Sequence, residues 1–275
     1  MSNLNHRDGL WQLPSEGTGY DPQLVPLIEK DHIKARPLTA GHHRYLAPSF
    51  GQTYKFLLAV LDKFIVEPRI QISELYFGDV MALMCAFRIC TYKDGYKLPH
   101  VCEACNLVQE GRFNLGELPC EYASEKKQDN PEWDPENVPV KLTDHDGKVR
   151  EVVMRLWRLR DEKLLVDTYE QVRKSVEFRD TDPDFDKEFL RHALLIKSID
   201  GKDLRSPSDV MEKFHFLEKM PPDVMVRLDR ALAKASFGVN TKVEFVCTNC
   251  KHKNVEILNL TPEFFRPMAE DESGD

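Results

Sequence analysis

Apolar positions recur at helical spacing along much of the chain. Residues 52–66 set Tyr54, Leu57, Leu58, Leu61 and Ile65 on one stripe and stop at Pro68, which predicts a helix. Residues 74–90 carry Val80, Leu83, Met84 and Phe87 at i, i+3, i+4 and i+7, the spacing of a buried helical face, and Lys93-Asp94-Gly95 marks the turn after it. Further helices are predicted over 158–178, with Leu159, Leu164, Leu165, Tyr169 and Val172 inward, and over 184–198, 207–219 and 223–236. The period changes once. Val138, Val140 and Leu142 alternate before Asp146-Gly147, and Val149 to Leu156 returns after it, the pattern of a β-hairpin.

Between these segments the polar stretches divide the chain. Residues 1–25 read as an extended polar arm without a core of its own. Residues 26–120 form a first helical unit, and 121–139 (EYASEKKQDNPEWDPENVP) is a charged linker with three prolines. Residues 140–268 hold the hairpin, the later helices and a second unit, and 269–275 is an acidic disordered tail.

A repeat underlies the two units. VCEACNLVQEGRFNL from Val101 and VCTNCKHKNVEILNL from Val246 both read Val-Cys-x-x-Cys, eight residues, then Asn-Leu. Upstream, Asp79-Val80-Met81 opens one helix and Asp223-Val224-Met225 the other, 23 and 24 residues before the first cysteine of each pair. Pro222-Asp223 supplies a start with a capping carboxylate, Val224, Leu228, Ala231, Leu232 and Ala235 form the buried stripe, and Gly238 is the expected stop. The fold class is therefore α+β: a helical body with two repeated helix–β-hairpin C-x-x-C knuckle units forming a zinc-ribbon-like site.

The cysteines carry the candidate chemistry. There are seven, an odd number, and the N-terminus lacks an apolar signal core, so a disulfide framework is disfavoured. Two residues between cysteines let a tight turn aim both sulfurs at one ion. Cys102, Cys105, Cys247 and Cys250 together would close a tetrahedral zinc site with no position left for a catalytic water. The spacing also fits two reduced pairs that only turn hairpins, or a redox-active pair, although thioredoxin-like pairs open a helix and strand-like sequence follows each pair here. His100 and His252 lie beside the knuckles, could replace a thiolate, and read as surface residues. Cys85 and Cys90 read as buried small hydrophobes, and Cys120 has no readable role.

Charge and missing motifs narrow the function. With 38 Lys and Arg against 46 Asp and Glu the formal charge is −8, which opposes a role in coating nucleic acid or anionic lipid. No apolar run approaches the ~18 residues of a membrane span, so a soluble, cytoplasmically made protein is expected. There is no G-x-x-x-x-G-K-[ST], G-x-S-x-G or H-E-x-x-H, and the expectation is no enzyme. Gly17-Thr18-Gly19 has no strand ahead of it. Asp180 to Asp184 starts like a calcium loop, but Phe185 and Arg191 stand where Gly and Glu are needed, so it reads as a helix start. His42-His43 reads as a solvated pair, and Arg158, Arg160, Asp161, Glu162 and Lys163 as a solvated helix face with an interface role in second place.

Residues 75–118, LYFGDVMALMCAFRICTYKDGYKLPHVCEACNLVQEGRFNLGEL, resemble the core pattern of the T4-type bacteriophage baseplate hub proteins. There a helix leads to an R-I-x-T-Y segment, here Arg88 to Tyr92, then a C-x-x-C knuckle and a strand. Residues 159–167 and 246–267, with Phe264-Phe265 before Pro267, are similar too. The resemblance implies a non-enzymatic structural or assembly component of a contractile-tail baseplate, in the hub region. Its partners would be other hub, tube or wedge proteins in a symmetric hetero-oligomer. It would be placed in the virion after assembly in the bacterial host cytoplasm, without membrane and without nucleic acid. Trp11, Tyr20, Trp133, Phe264 and Phe265 suit such interfaces, and each is also compatible with ordinary core packing. The alternative is a zinc-ribbon nucleic-acid-binding regulatory protein, for which Lys251, His252 and Lys253 supply a small basic spot.

Overall fold

The first strands are too short to show a period. β1 (His6–Arg7), β2 (Leu10–Gln12) and β3 (His32–Ala35) pair antiparallel in chain order, and β4 (Ile65–Glu67) adds beyond β3. The computed structural model describes residues 3–7, 9–42, 53–174, 181–258 and 264. Leu4, Trp11, Leu13 and Val25 are buried, so the expectation of an arm without a core gives way. A strand of two or three residues turns only one or two side chains inward, too few for alternation to register in the sequence.

Helix α1 (Thr53–Phe64) follows its stripe closely, and α2 (Phe77–Tyr92) runs through the centre of the first core. Val80, Leu83, Met84 and Phe87 are buried as their spacing requires, but so are Ala82, Cys85, Ala86 and Arg88. The helix is covered on nearly every side. β5 (Gly95–Val101) pairs with β6 (Val108–Asn114) in a hairpin that leads to β7 (Cys120–Glu121).

Residues 121–139 are an anchored connection. Helix α3 (Ala123–Asp129) opens it, the Tyr122 hydroxyl donates to Asn3 O (3.1 Å), and Trp133 Nε1 donates to Ala235 O (3.0 Å). Its apolar weight sits in a few large side chains rather than a periodic stripe, which explains its linker-like sequence.

The second core is built on β8 (Val138–Thr143) and β9 (Val149–Met154), which form the expected hairpin, turning through Gly147 at φ 78°. β10 (Ile196–Ile199) and β11 (Lys202–Asp203) extend the sheet in the order β11-β10-β9-β8. The helix expected over 184–198 therefore stops early, as α5 (Pro183–Leu195), and its last apolar residues become a strand. Asp182 accepts from the amides of Asp184 and Phe185, the helix start read from the sequence. Helices α4 (Leu159–Val172), α6 (Val210–Glu218) and α7 (Val224–Ala235) complete the layer.

Three expectations about ends and charges are corrected. Asp223 pairs with Arg227 Nε (2.6 Å) and caps nothing. Gly238 lies past the end of α7, in β12 (Gly238–Val239), where a Cβ would come within 2.9 Å of Gly78 Cα on α2. The charge run at 158–163 is solvated only in part: Arg160 and Lys163 are exposed, but Arg158 and Asp161 are buried. Arg158 donates to Glu74, to Gly19 O (2.8 Å), to the Tyr76 hydroxyl (3.0 Å) and to Glu136 (2.8 Å), and Arg155 grips Asp161 through two bonds of 2.6 and 2.7 Å. Trp11, Trp133 and Phe264 are likewise core residues rather than exposed anchors. Phe265 and the 269–275 tail lie outside the described residues.

Candidate metal centre

Each cysteine pair sits at the tip of a hairpin. The first tip joins β5 to β6, and the second joins β13 (Lys242–Val246) to β14 (Lys253–Ile257), which pair antiparallel. The backbone is the same at both. In the first, Cys102 N donates to Leu107 O (2.9 Å) and Asn106 N to Cys102 O (2.9 Å). In the second, Cys247 N donates to His252 O (2.8 Å) and Lys251 N to Cys247 O (3.0 Å). The residue after the second cysteine takes a left-handed conformation in each, Asn106 at φ 56° and Lys251 at φ 60°. That bend turns the chain back while both sulfurs stay on one side.

The two tips face each other. Cys102 Sγ lies 3.6 Å from Cys250 Sγ, and Cys105 Sγ lies 3.6 Å from Cys247 Sγ. All four sulfurs fall within 4.8 Å of one another. A tetrahedral ion with metal–sulfur bonds of about 2.3 Å holds its ligands roughly 3.8 Å apart, so the donor set fits zinc in number, element and spacing. All four cysteines are free. Cys102 and Cys247 are fully buried and Cys250 is exposed at the rim.

The electrostatics favour thiolate at two positions. Desolvation opposes ionisation of Cys102, but the amides of Cys105 and Ala104 and the thiols of Cys250 and Cys247 outweigh it and hold its pKa down. The amides of Cys250 and Asn249 do the same for Cys247. Metal ligation requires thiolates, and converging N–H groups supply part of that stabilisation before any cation arrives.

A reciprocal clasp that was not read from the sequence fixes the two tips. Glu103 N donates to Asn254 Oδ1 (3.0 Å), and Thr248 N donates to Gln109 Oε1 (3.0 Å). Glu103 and Thr248 each follow the first cysteine of their pair, and Gln109 and Asn254 each lie seven residues beyond that cysteine. Every equivalent pair is offset by 145 positions. By the same offset His100 corresponds to Phe245, and these two rings stack on each other at 4.6 Å. His100 is buried, not a surface residue, and accepts from Gln109 (2.8 Å), whereas His252 is exposed and lends only its carbonyl. The legible signal was a side-chain amide at the same place in both repeats.

The other candidates have structural roles. Cys85 and Cys120 are buried and Cys90 is half-buried, with burial pushing the Cys85 and Cys120 thiols up to about 12. His42 accepts from Thr39 N (3.1 Å), while His43 lies outside the described residues. Glu188, His192 and Asp229 come together between α5 and α7, with His192 Nε2 2.9 Å from Asp229 Oδ1. Among the described residues, no helix is long and apolar enough to cross a membrane.

The scaffold thus defines a mixed helix-and-sheet protein in which two C-x-x-C hairpin tips bring four thiols together. The family model for T4 bacteriophage base plate proteins matches residues 22–266, most of the chain, and the protein belongs to that family. The match extends the three blocks of resemblance into one continuous span. No curated protein and no solved structure matches the chain.

Proposed function

We propose that this protein is a non-enzymatic structural component of the hub region of a contractile-tail baseplate, with its two repeats joined by one structural zinc. The family match over residues 22–266 carries the baseplate role, and membership implies contact with other baseplate proteins. The zinc rests on the four converging sulfurs of Cys102, Cys105, Cys247 and Cys250. Four protein ligands leave no open position, so the ion would act on folding and not on a substrate. In this reading the protein assembles in the bacterial host cytoplasm with hub, tube or wedge partners in a symmetric hetero-oligomer and stays in the tail of the virion.

Two experiments separate the parts. Elemental analysis of untagged, undenatured protein is expected to give one zinc per chain, lost in Cys102→Ser and in Cys247→Ser alike; metal-free wild type would end the zinc assignment. Co-expression with the other baseplate proteins of the same phage is expected to yield a complex of fixed stoichiometry. A chain that stays monomeric beside all of them would overturn the hub role.

A further inference from the structure

Lys213, on α6, is 3% exposed, and its ammonium makes one hydrogen bond, to Ile196 O at 3.0 Å. It forms no ion pair among the described residues. A buried cation without a counter-charge is costly, and this one faces a cavity of about 240 Å³. Three more cations line that cavity, each already engaged. Arg155 is held by Asp161, Arg205 by Asp203 (2.9 Å to each oxygen from Nε), and Lys197 by Glu136 O (2.6 Å) and Asn137 Oδ1 (3.2 Å). Glu136 also lines the cavity, but its Oε1 is taken by Tyr76 (2.6 Å) and Arg158 (2.8 Å), and its other oxygen stays 4.0 Å from Lys197. Of the four lining cations, Lys213 is the one with no carboxylate oxygen of the described residues within 4.0 Å. Apart from Ser206, the remaining walls are aliphatic: Leu164, Leu194, Ile196 and Val210.

We propose that this cavity binds a carboxylate carried on a short aliphatic stem, with Lys213 as the charge that fixes it. A carboxylate would give Lys213 the counter-charge its surroundings lack, and the stem meets the aliphatic walls. The Lys213 side chain has two further N–H donors to offer beyond the one bonded to Ile196. Burial and the nearby Arg155 charge pull its pKa down to about 8 against the opposing pull of Asp209, the behaviour of an ammonium lacking its partner. Two sources share this chemistry: a free short-chain acid, or an acidic side chain of an assembly partner.

Sodium butyrate, N-acetylglutamic acid α-amide and inorganic phosphate, each titrated into the full-length protein at constant ionic strength, test it by thermal denaturation. Butyrate is expected to raise the melting temperature saturably. Lys213→Met is expected to weaken that binding by about tenfold or more while leaving the ligand-free protein at least as stable, because a buried uncompensated charge is gone. Binding of the glutamate analogue as well as butyrate assigns the source to a protein side chain, and binding of butyrate alone assigns it to a free acid. Should Lys213→Met not fold, wild type at pH 9.5 serves instead, where the butyrate response is expected to fall as Lys213 loses its proton. No saturable response to either carboxylate, an equal response in Lys213→Met or at pH 9.5, or tighter binding of phosphate would overturn the proposal.

Discussion

Asp79 is a carboxyl group with no solvent around it. Ser15 N (2.8 Å) and the Tyr20 hydroxyl (2.5 Å) donate to its two oxygens, yet burial dominates and raises its pKa to about 6. Unfolded, the group ionises near pH 4. Below that pH it is protonated in both states and favours neither. Between pH 4 and 6 the unfolded chain gives up the proton first, so stability falls, and above pH 6 the penalty is constant at about 3 kcal/mol. The stability difference between Asp79→Asn and wild type should therefore move in favour of the variant by up to that amount from pH 4 to pH 7. Urea midpoints at both values read it, and a pH-independent difference would contradict it. Gly111 makes a steric case at the same scale. A Cβ there would meet the Phe245 ring at 2.1 Å, so Gly111→Ala should cost about 1–3 kcal/mol and disturb the stack of His100 on Phe245. A melting temperature within a degree of wild type would show that the hairpins separate freely.

At the scale of elements, the clasp between the knuckles makes a symmetric prediction. Gln109→Ala and Asn254→Ala each remove the acceptor for one backbone amide of the opposite tip, and each should cost about 1 kcal/mol. The Gln109 change should cost more, because it also donates to His100 and accepts from the Thr248 hydroxyl. Chemical denaturation of the two variants side by side checks the order. How far these elements could be read in the sequence depended on their length. Helices of twelve or more residues such as α1, α2 and α7 declared themselves by stripe, and the β8–β9 hairpin by alternation and Asp146-Gly147. β1, β2 and β10 did not, since two to four residues carry no usable period. The cysteine spacing placed both knuckles. It could not reveal the clasp, whose meaning depends on which tips meet.

At the scale of the whole molecule, Arg158 ties together segments that sequence alone leaves apart: Gly19, Glu74 and Tyr76 on one side, Glu136 on the other. A run of charges on a helix looks solvated until its neighbours are known, and here Tyr76 and Tyr20 cover the guanidinium at 4.4 and 5.6 Å. Arg158→Ala should cost about 2–4 kcal/mol, since it removes the donors to Gly19 O, the Tyr76 hydroxyl and Glu136 and leaves the buried Glu74 carboxylate to Arg160 alone. Arg158→Met with Glu74→Leu should recover much of that. Equal stability of the single and double variants would mean the cluster is solvated after all.

The 145-residue offset between the knuckles also sets an order in time. At translation rates of about 5–20 residues per second, roughly 7–30 seconds separate the emergence of Cys102 from that of Cys247. Through that interval a ribosome-bound chain presents one thiol pair, half of a tetrahedral shell. Capture of an ion by all four sulfurs would then mark a polypeptide whose second repeat has been synthesised, and a product truncated before Cys247 could not pass as finished.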